Sequence, residues 1–245
     1  MSDTINQENK AIWEANADYW DARMGIKGND WHSTLISPIT VRLLNMKPGD
    51  KLLDVGCGNG VFARTMAHLG VNVTAFDFAE RNILNAKTYP SEHIDYKVLD
   101  ATKSDELLSL GNHTYDAAAA NMVLMDIPIV DPLFKALTQL LKPGGSFVFS
   151  IPHPCFRGEK NVREDDDGIF VFDYTENIQS MGEAIRNQPE LQFYFHRSIS
   201  TLLHTAFKYG LIMDGIEEPV FEKKKQTIFT KIPPVLILRL RYPES

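Results

Sequence analysis

Short apolar runs and amphipathic stretches alternate along the middle of the chain. Five apolar runs have the length of a buried strand: residues 51–55, 71–76, 94–99, 115–120 and 146–151. The stretches at residues 61–69 and 132–141 instead carry apolar side chains at helical spacing. Strands that alternate with helices in this way imply βαβ crossovers and a parallel sheet covered on both faces. The pattern therefore predicts the α/β fold class.

Two segments depart from this alternation. Residues 1–45 are helical in parts and contain all three tryptophans, whereas residues 152–196 are irregular, aromatic and, at residues 164–167, acidic. Long segments of this kind in an α/β protein are typical of lids and substrate-binding loops, with surface decoration as the alternative. Three predicted elements follow them: a helix at residues 198–209 and strands at residues 211–216 and 235–242.

The composition of the chain is typical of a globular protein, and its charge bears on which partners it can bind. Hydrophobic residues make up 44% of the chain and charged residues 23%, which excludes a disordered protein. The 25 Lys and Arg residues against 32 Asp and Glu residues give a net charge of −7, so no nucleic-acid partner is expected. A local basic patch stays open, although the basic run at residues 223–225 is typical of a solvated loop.

The number of cysteines and the hydropathy of the chain argue against disulfide-rich, zinc-binding and membrane-spanning proteins. Cys57 and Cys155 are too few for a disulfide framework or a zinc set, and we expect no metal. The most apolar stretch, residues 117–130, is interrupted by polar residues and is shorter than the ~20 residues of a membrane-spanning helix. The N-terminus lacks a secretory signal, so a soluble, cytoplasmic protein without a membrane partner is expected. Monomer and homodimer both stay open.

A glycine-rich turn follows the first predicted strand. The stretch LLDVGCGNG at residues 52–60 places Gly56, Gly58 and Gly60 in a GxGxG spacing between a strand and a helix. Glycines permit positive φ and a close approach of a ligand to the backbone, and the helix N-terminus offers free N–H groups. The dinucleotide fingerprint GxGxxG is not met, because Val61 follows Gly60. Alone, the turn is also compatible with a tight βα connection.

Polar side chains end the strands that follow this turn. Asp77 ends the second strand, Asp100 the third and Asn121 the fourth. Each residue alone is typical of a turn or a helix cap. Together they mark the carboxyl ends of parallel strands, where open α/β sheets bind ligands and where a carboxylate can accept hydrogen bonds from ribose hydroxyls.

These residues resemble the motifs of a known enzyme family. Five stretches match its ordered motifs: residues 52–60, Asp77, LDA at 99–101, YDA at 115–117 with Asn121, and LKPGG at 141–145. The family is the class I S-adenosylmethionine-dependent methyltransferases, and the chain is most similar to the subgroup that acts on small molecules. The resemblance is strongest over residues 48–151 and weaker beyond them.

The resemblance implies a Rossmann-like, doubly wound sheet of seven strands, mostly parallel, with the last strand antiparallel beside the fifth. It implies a single methyltransferase domain over residues 1–245. That domain would consist of an N-terminal helical lid (1–45), a cofactor-binding core (46–151), a substrate-side insertion (152–196) and a C-terminal helix with strands (197–245).

The resemblance also implies S-adenosylmethionine as the cofactor and S-adenosylhomocysteine as its product. Gly56, Cys57 and Gly58 would line the methionine and ribose portion, with Asp54 near the amino-acid end. Asp77 would bind the ribose hydroxyls. The remaining contacts would be Phe78, Asp100 and Ala101 around the adenine, Asn121 and Met122 beside the sulfonium, and the aromatic pair Tyr19 and Trp20 closing over the cofactor.

Candidate catalytic residues lie outside these motifs. His153 follows the fifth strand and His196 precedes the late helix, and an imidazole that titrates at about pH 6.5 suits a general base. A hydrogen-bonded structural histidine is the alternative for each. An aromatic acceptor pocket is predicted from Trp31, His32, Phe156, Arg157 and Tyr174. Arg157 pairs either with an anionic substrate or with the acidic residues 164–167.

The sequence therefore predicts an enzyme that transfers a methyl group from S-adenosylmethionine to an O, N or C nucleophile of a small, aromatic or heterocyclic metabolite. Its main tasks would be alignment of the reactants and exclusion of water. Two alternatives stay open: an RNA methyltransferase on the same fold, and a non-catalytic module that binds S-adenosylmethionine or a nucleotide.

Overall fold

The computed structural model describes residues 2–158, 160–165, 168–224 and 227–244. Its helices are α1 (Ser2–Met24), α2 (Ser37–Leu44), α3 (Val61–His68), α4 (Glu80–Thr88), α5 (Ser104–Leu108), α6 (Asp131–Leu140) and α7 (Ile199–Lys208), with a π-helical segment at Trp31–Ile36 and a 3₁₀ turn at Ile228–Thr230. Its strands are β1 (Lys51–Val55), β2 (Asn72–Asp77), β3 (Ile94–Val98), β4 (Tyr115–Asn121), β5 (Leu141–Pro152), β6 (Val162–Asp165), β7 (Gly168–Val171), β8 (Ile178–Gly182), β9 (Gln192–His196), β10 (Ile212–Glu217) and β11 (Val235–Arg241). Within this described part of the chain, no helix is both long and apolar enough to cross a membrane.

Seven of the described strands form one sheet in the order β10-β11-β5-β4-β1-β2-β3. Strands β1 to β5 are parallel, whereas β11 is antiparallel to both of its neighbours, β5 and β10. The predicted α/β class and the Rossmann-like sheet with an antiparallel last strand beside the fifth are confirmed. Because the strand order reverses between β1 and β4, a crevice opens at their carboxyl ends, where sheets of this type bind ligands.

Helices on both faces bury the central strands. On one face, Phe134 of α6 packs against Phe147 and Phe149 of β5. On the other face, α2 and α3 cover the sheet, with Phe62 and Met66 in the same buried cluster as β1. A strand covered on both faces needs a nearly continuous apolar sequence, so a buried carboxylate at the end of such a strand is exceptional and points to a ligand site.

Residues 152–196 are more ordered than the sequence predicts. They contain two antiparallel hairpins, β6 with β7 and β8 with β9. The N–H of Phe195 donates to the carbonyl of Met125 at 2.7 Å, which attaches the second hairpin to the loop after β4. Strands this short give little periodicity, and the sequence pattern is therefore weak here. Residues 166 and 167 of the acidic cluster, and residue 225 of the basic run, lie outside the described residues.

Helix α1 lies over the carboxyl ends of β2 and β3. The carboxylate of Glu14 accepts the backbone N–H groups of Glu80 and Arg81, at 2.6 and 2.9 Å, where α4 begins. Asp18 accepts two hydrogen bonds from the Arg81 guanidinium, at 2.6 and 3.0 Å. Glu14 thus caps α4 from a different helix, since it satisfies N–H groups that have no partner within α4. These contacts hold α1 where a lid over the crevice would lie.

Candidate active site

A cavity of about 510 Å³ lies at the carboxyl ends of β1, β2 and β4, beneath α1, the π-helical segment and β9. The structure brings most of the predicted site residues to its walls: Trp20, Trp31, His32, Asp54, Gly56, Cys57, Gly58, Asp77, Phe78, Asp100, Ala101, Asn121, Met122, Arg157 and His196. Four predicted residues lie outside the lining: Tyr19, His153, Phe156 and Tyr174.

The glycine loop after β1 forms one wall of the cavity. Gly56 and Gly58 have φ values of +61° and +54°, a region that favours glycine. A Cβ on Gly56 would lie 2.7 Å from both Cγ atoms of Val123, whereas a Cβ on Gly58 would meet nothing within 4 Å. The N–H of Cys57 donates to the carbonyl of Phe76 at 2.9 Å and ties the loop to β2. Gly56 is therefore required by packing, and Gly58 leaves room for a ligand.

Asp77, at the end of β2, is held in place by three donors. Its carboxylate accepts the N–H of Gly58 at 3.0 Å, the N–H of Ala79 at 2.9 Å and the side-chain amide of Asn82 at 3.2 Å. Burial raises the pKa of Asp77, and these hydrogen bonds oppose the increase. Asp77 therefore has a fixed orientation at the cavity wall.

Asp54, at the end of β1, is buried with an exposed fraction of 2%. Its Oδ2 atom has no hydrogen-bond partner among the described residues. Burial, followed by the charge of Asp77, raises the pKa of Asp54 to about 8. A buried carboxyl group with an unused oxygen at a cavity is suited to a cationic ligand group such as an ammonium.

Asn121, at the end of β4, has a complementary unused atom. Its Oδ1 accepts the hydroxyl of Thr40 at 3.0 Å, while its Nδ2 is buried without a partner among the described residues. The neighbouring Met122 has a φ of +58°, and its N–H donates to the carbonyl of Ser150 at 2.9 Å. The donor on Asn121 and the acceptor on Asp54 are both left unsatisfied at the same cavity, which fits a polar, charged occupant.

Asp100 closes the cavity near the start of α1. One of its oxygens accepts the backbone N–H and the hydroxyl of Thr102, at 2.8 and 2.7 Å. The other accepts the side-chain amide of Asn6 at 2.7 Å. Asp100 therefore joins the end of β3 to the first turns of the helix that lies across it.

Of the aromatic pair Tyr19 and Trp20 in α1, only Trp20 lines the cavity. Trp20 lines the cavity, and its ring centroid lies 5.2 Å from that of Trp13. The hydroxyl of Tyr19 instead donates to the carbonyl of Arg186 at 2.6 Å, away from the cavity wall. Consecutive helical residues face directions that differ by about 100°, which is why Tyr19 and Trp20 do not share a surface.

His153 lies beside the cavity and not in its lining. Its Nε2 is 2.8 Å from Glu218 Oε1, and its Nδ1 accepts the N–H of Cys155 at 3.2 Å. The Phe156 ring packs on the imidazole, with centroids 4.5 Å apart. Burial lowers the pKa of His153, and the bond to Glu218 opposes that decrease. With both ring nitrogens occupied, His153 is placed as a residue that holds the loop after β5.

His196 lines the cavity, but its ring nitrogens also have partners. Its Nε2 is 2.9 Å from the carbonyl of Tyr174, and its Nδ1 is 3.2 Å from the amide of Asn161. The hydroxyl of Tyr174 accepts the N–H of Ile199 at 3.1 Å. Tyr174 thus supports His196 from behind the cavity wall and does not face the cavity itself.

An aromatic wall lies where the acceptor pocket was predicted. The Trp31 ring meets Phe221 and Phe229 edge-on, with centroid distances of 5.5 and 6.0 Å. The Arg157 guanidinium lies 5.7 Å from the centroid of Trp31 and 5.2 Å from that of Phe229. No salt bridge joins Arg157 to any carboxylate of the described residues. Arg157 therefore brings a guanidinium group to the cavity wall.

Two hydrogen-bonded pairs of the cavity were not predicted as pairs, and of their four members only His32 was predicted as a site residue. Asn29 and His32 both line it and are hydrogen-bonded to each other. Asp126 is also in the lining and accepts the side-chain amide of Gln192 at 3.2 Å, and burial raises its pKa well above the usual range. The spacing of Asn29 and His32, three residues apart, is a helical signal available in the sequence. The Asp126–Gln192 pair joins residues 66 positions apart, and only the fold brings it together.

Comparison with known proteins identifies the family to which this site belongs. The model of a methyltransferase domain matches residues 31–206, which include the glycine loop, Asp77 and the other strand ends of the cavity. This chain belongs to the methyltransferase-domain family. Family membership confirms the resemblance seen in the ordered motifs of the sequence.

Curated relatives in this family match part of the chain. A ubiquinone biosynthesis O-methyltransferase of Xanthomonas campestris pv. campestris is 34% identical over 106 residues, or 42% of this chain and 43% of the relative. The protein of the same description from Caulobacter vibrioides is 37% identical over 98 residues, or 40% and 38% of the two chains. The matches thus span less than half the length of these relatives.

Solved structures share the fold over more of the chain. An S-adenosylmethionine-dependent methyltransferase from Mesorhizobium loti has a TM-score of 0.69 at 24% identity, covering 83% of this chain and 96% of its own. Phosphoethanolamine N-methyltransferase 2 of Haemonchus contortus, in complex with S-adenosyl-L-methionine, has a TM-score of 0.61 at 18% identity, covering 96% and 57%. The [4+2]-cyclase SpnF reaches a TM-score of 0.65 at 16% identity, covering 98% and 97%. The fold therefore accommodates more than one chemistry.

Proposed function

We propose that the chain is an S-adenosylmethionine-dependent methyltransferase that acts on a nucleophile of a small, aromatic or heterocyclic metabolite. The observation that carries the proposal is the pair of buried aspartic acid side chains at one cavity. Asp77 lies at the end of β2 with a fixed orientation, and Asp54 lies at the end of β1 with one oxygen that accepts no hydrogen bond from the described residues. Membership of the methyltransferase-domain family supports methyl transfer as the reaction that takes place in this cavity.

The residues present fit S-adenosylmethionine. The unused oxygen of Asp54 suits the ammonium group, and the open space at Gly58 admits the ligand to the loop backbone. Asp77 would hold the ribose hydroxyls, while Asn121 would offer its unused amide N–H near the sulfonium. The further contacts would be Phe78, Asp100 and Ala101 at the adenine, and Met122 and Trp20 over the remainder.

When bound, S-adenosylmethionine would supply an electrophilic methyl carbon. Its bond to sulfur would break as the nucleophile attacks, and the electron pair of that bond would remain on sulfur. The chain's own contribution is alignment and exclusion of water, which together are worth up to ~7–11 kcal/mol in well-oriented systems. Helix α1 contributes to both, because Glu14 and Asn6 tie it across the cavity at α4 and β3.

The acceptor side supports a small molecule with an aromatic group. Trp31 and Arg157 line the cavity, and the Arg157 guanidinium lies 5.7 Å from the Trp31 ring centroid and forms no salt bridge with the described carboxylates. The whole cavity measures about 510 Å³. A space of that size suits a cofactor and a compact acceptor. The names of the curated relatives, which place them in ubiquinone biosynthesis, support a small-molecule acceptor as well. The net charge of −7 supports the further proposal that RNA is not the acceptor.

The proposal is tested by binding and by transfer. S-adenosylhomocysteine binding is measured by calorimetry for the wild type, Asp77→Ala and a control, Asp95→Ala, whose exposed side chain pairs with Lys97 in β3. We expect binding to be lost in Asp77→Ala alone.

Transfer is tested in a second experiment. Methyl-labelled S-adenosylmethionine and the protein are incubated with a cell extract, which is then separated into small-molecule, RNA and protein fractions. Label in the small-molecule fraction supports the proposal, whereas label in RNA, or no binding by the wild type, contradicts it.

A further inference from the structure

The hydrogen bonds of Asn29 determine the tautomer of His32. Asn29 Oδ1 is 3.1 Å from the backbone N–H of His32 and 2.9 Å from its Nδ1. A backbone N–H is always a donor, so the Asn29 atom that receives it is the amide oxygen. An amide oxygen only accepts, and therefore Nδ1 of His32 carries the proton. The remaining nitrogen, Nε2, presents a lone pair.

The surroundings keep this imidazole neutral and fixed. His32 lies in the π-helical segment and lines the cavity, and a Cβ on Gly28 would lie 3.0 Å from the His32 Cβ. Gly28 has a φ of +79°, a backbone conformation that favours glycine. Burial lowers the pKa of His32 to about 4, so the ring is unprotonated at neutral pH.

The other two histidines near the cavity lack a free nitrogen. His153 uses both ring nitrogens on Glu218 and Cys155, and His196 uses both on Tyr174 and Asn161. Nε2 of His32 has no hydrogen-bond partner among the residues that the structure describes. Among these three histidines, His32 is thus the one arranged to accept a proton from a ligand in the cavity.

We propose that His32 Nε2 takes the proton from an aromatic hydroxyl group while its oxygen is methylated, which makes a hydroxyaromatic compound the acceptor. The O–H bond breaks toward Nε2, and the oxygen forms the bond to the methyl carbon. The carbon–sulfur electron pair leaves on sulfur, and the imidazolium then releases its proton to water. The inference rests on the proposed methyltransferase function and adds the acceptor group to it.

An imidazole nitrogen that can accept a proton favours an O–H group over an amine as the nucleophile. A neutral amine attacks through a lone pair that it already carries and needs no base before the bond forms. A neutral hydroxyl group is a poor nucleophile until its proton is withdrawn, and His32 offers the acceptor for that proton. Asn29 stabilises the imidazolium that results, because Nδ1–H continues to donate to its amide oxygen. Trp31, adjacent in the chain and in the same cavity, supplies the face for the ring of the acceptor.

Nuclear magnetic resonance of ¹⁵N-histidine-labelled protein tests the tautomer and the contact without turnover. At pH 7, we expect one histidine with a protonated Nδ1 and an unprotonated Nε2 to disappear in His32→Gln and to persist in His204→Gln, a control at an exposed position of helix α7. Addition of 4-nitrophenol to the protein loaded with S-adenosylhomocysteine should shift the Nε2 signal of His32. A protonated Nε2, or an unshifted signal with S-adenosylhomocysteine bound, overturns the proposal. Failure of S-adenosylhomocysteine to bind refutes the methyltransferase function instead.

Kinetics with the labelled small-molecule product provides the second test. Mass spectrometry of that product should locate the methyl group on an aromatic oxygen. We expect His32→Gln to lower kcat by about 10²–10⁴-fold with little change in KM, and Asn29→Ala to lower it less. His204→Gln should match the wild type. A methyl group on nitrogen, carbon or sulfur, or an unchanged kcat in His32→Gln, overturns the proposal.

Discussion

Asp54 lies beside Asp77 in the buried floor of the cavity, and its pKa is raised to about 8 by burial and by the charge of that neighbour. Asp77 is stabilised by three hydrogen-bond donors, whereas Oδ2 of Asp54 has none among the described residues. At neutral pH the ligand-free Asp54 is therefore mainly protonated. A cation bound beside it reverses that preference, because an opposite charge favours the carboxylate.

Binding of S-adenosylhomocysteine at pH 7 should release close to one proton. The ammonium group lowers the pKa of Asp54 from about 8, so the carboxyl group ionises when the ligand binds. Calorimetry in two buffers with different ionisation enthalpies measures the number of protons released. In Asp54→Asn, which has no titrating group at this position, we expect weaker binding and almost no release. An equal release by the wild type and the variant would show that another group titrates.

The stability of the ligand-free protein should decrease as pH rises toward 8. The pKa of Asp54 is higher in the folded chain, at about 8, than in the unfolded chain, where it is near its ordinary value of 3.8. The folded state therefore binds more protons across this window, and raising the pH favours unfolding. The pKa of His32 is lowered to about 4 in the folded chain, so at this residue the unfolded state binds more protons. His32 therefore makes stability rise with pH, but only below about pH 6.5.

Urea unfolding at pH 7 and pH 8.5 measures the contribution of Asp54 without that of His32. At pH 8.5 we expect Asp54→Asn to be more stable than the wild type by about 1–3 kcal/mol, because it removes a buried carboxylate whose Oδ2 has no hydrogen-bond partner among the described residues. The difference should be smaller at pH 7. A difference that is independent of pH contradicts the assignment of the raised pKa.

Removal of the Glu14 carboxylate should loosen α1 and speed the loss of ligand. Glu14→Ala leaves the N–H groups of Glu80 and Arg81 without their acceptor, at a cost of about 1 kcal/mol. Stopped-flow measurement of S-adenosylhomocysteine dissociation should show a several-fold increase in rate. Glu8→Ala, an exposed position on the same helix, is the matched control. Equal rates in all three proteins would mean that α1 does not control access.

The fold and most of the cofactor side could be predicted from the sequence because they depend on local patterns. The GxGxG turn, Asp77 and Asn121 each follow an apolar run, and parallel strands bring their ends together. The acceptor side could not be predicted in the same way. The partners of His153 and His196, Glu218 and Asn161, lie 65 and 35 residues away along the chain. Whether a histidine nitrogen is free depends on such contacts, and no local pattern reports them.

Alanine substitutions at Gly56 and Gly58 should differ in their effects, with the first mainly lowering stability and the second mainly lowering S-adenosylhomocysteine affinity. An alanine at Gly56 combines a φ of +61° with a Cβ 2.7 Å from both Cγ atoms of Val123, so Gly56→Ala should destabilise the protein by about 2–4 kcal/mol. An alanine at Gly58 has no neighbour within 4 Å, and only its φ of +54° costs stability, by about 1–2 kcal/mol. Its methyl group enters the space offered to the ligand, so Gly58→Ala should lose more S-adenosylhomocysteine affinity than stability. Urea midpoints and calorimetry give both quantities, and equal effects on stability would contradict the packing argument.

His153 should prove to be a structural residue. Its ring is 2% exposed, joins Glu218 to the N–H of Cys155 and packs on Phe156. His153→Ala should therefore lower the free energy of unfolding by about 1–3 kcal/mol, since it removes a buried ring that packs on Phe156 and two hydrogen bonds, to Glu218 and to the N–H of Cys155. Well below the unfolding temperature, kcat on the identified acceptor should stay within about threefold of the wild type, because a general base would contribute about 10²–10⁴-fold. A loss of kcat in that larger range, with the fold intact by circular dichroism, would restore His153 as the base and remove that role from His32.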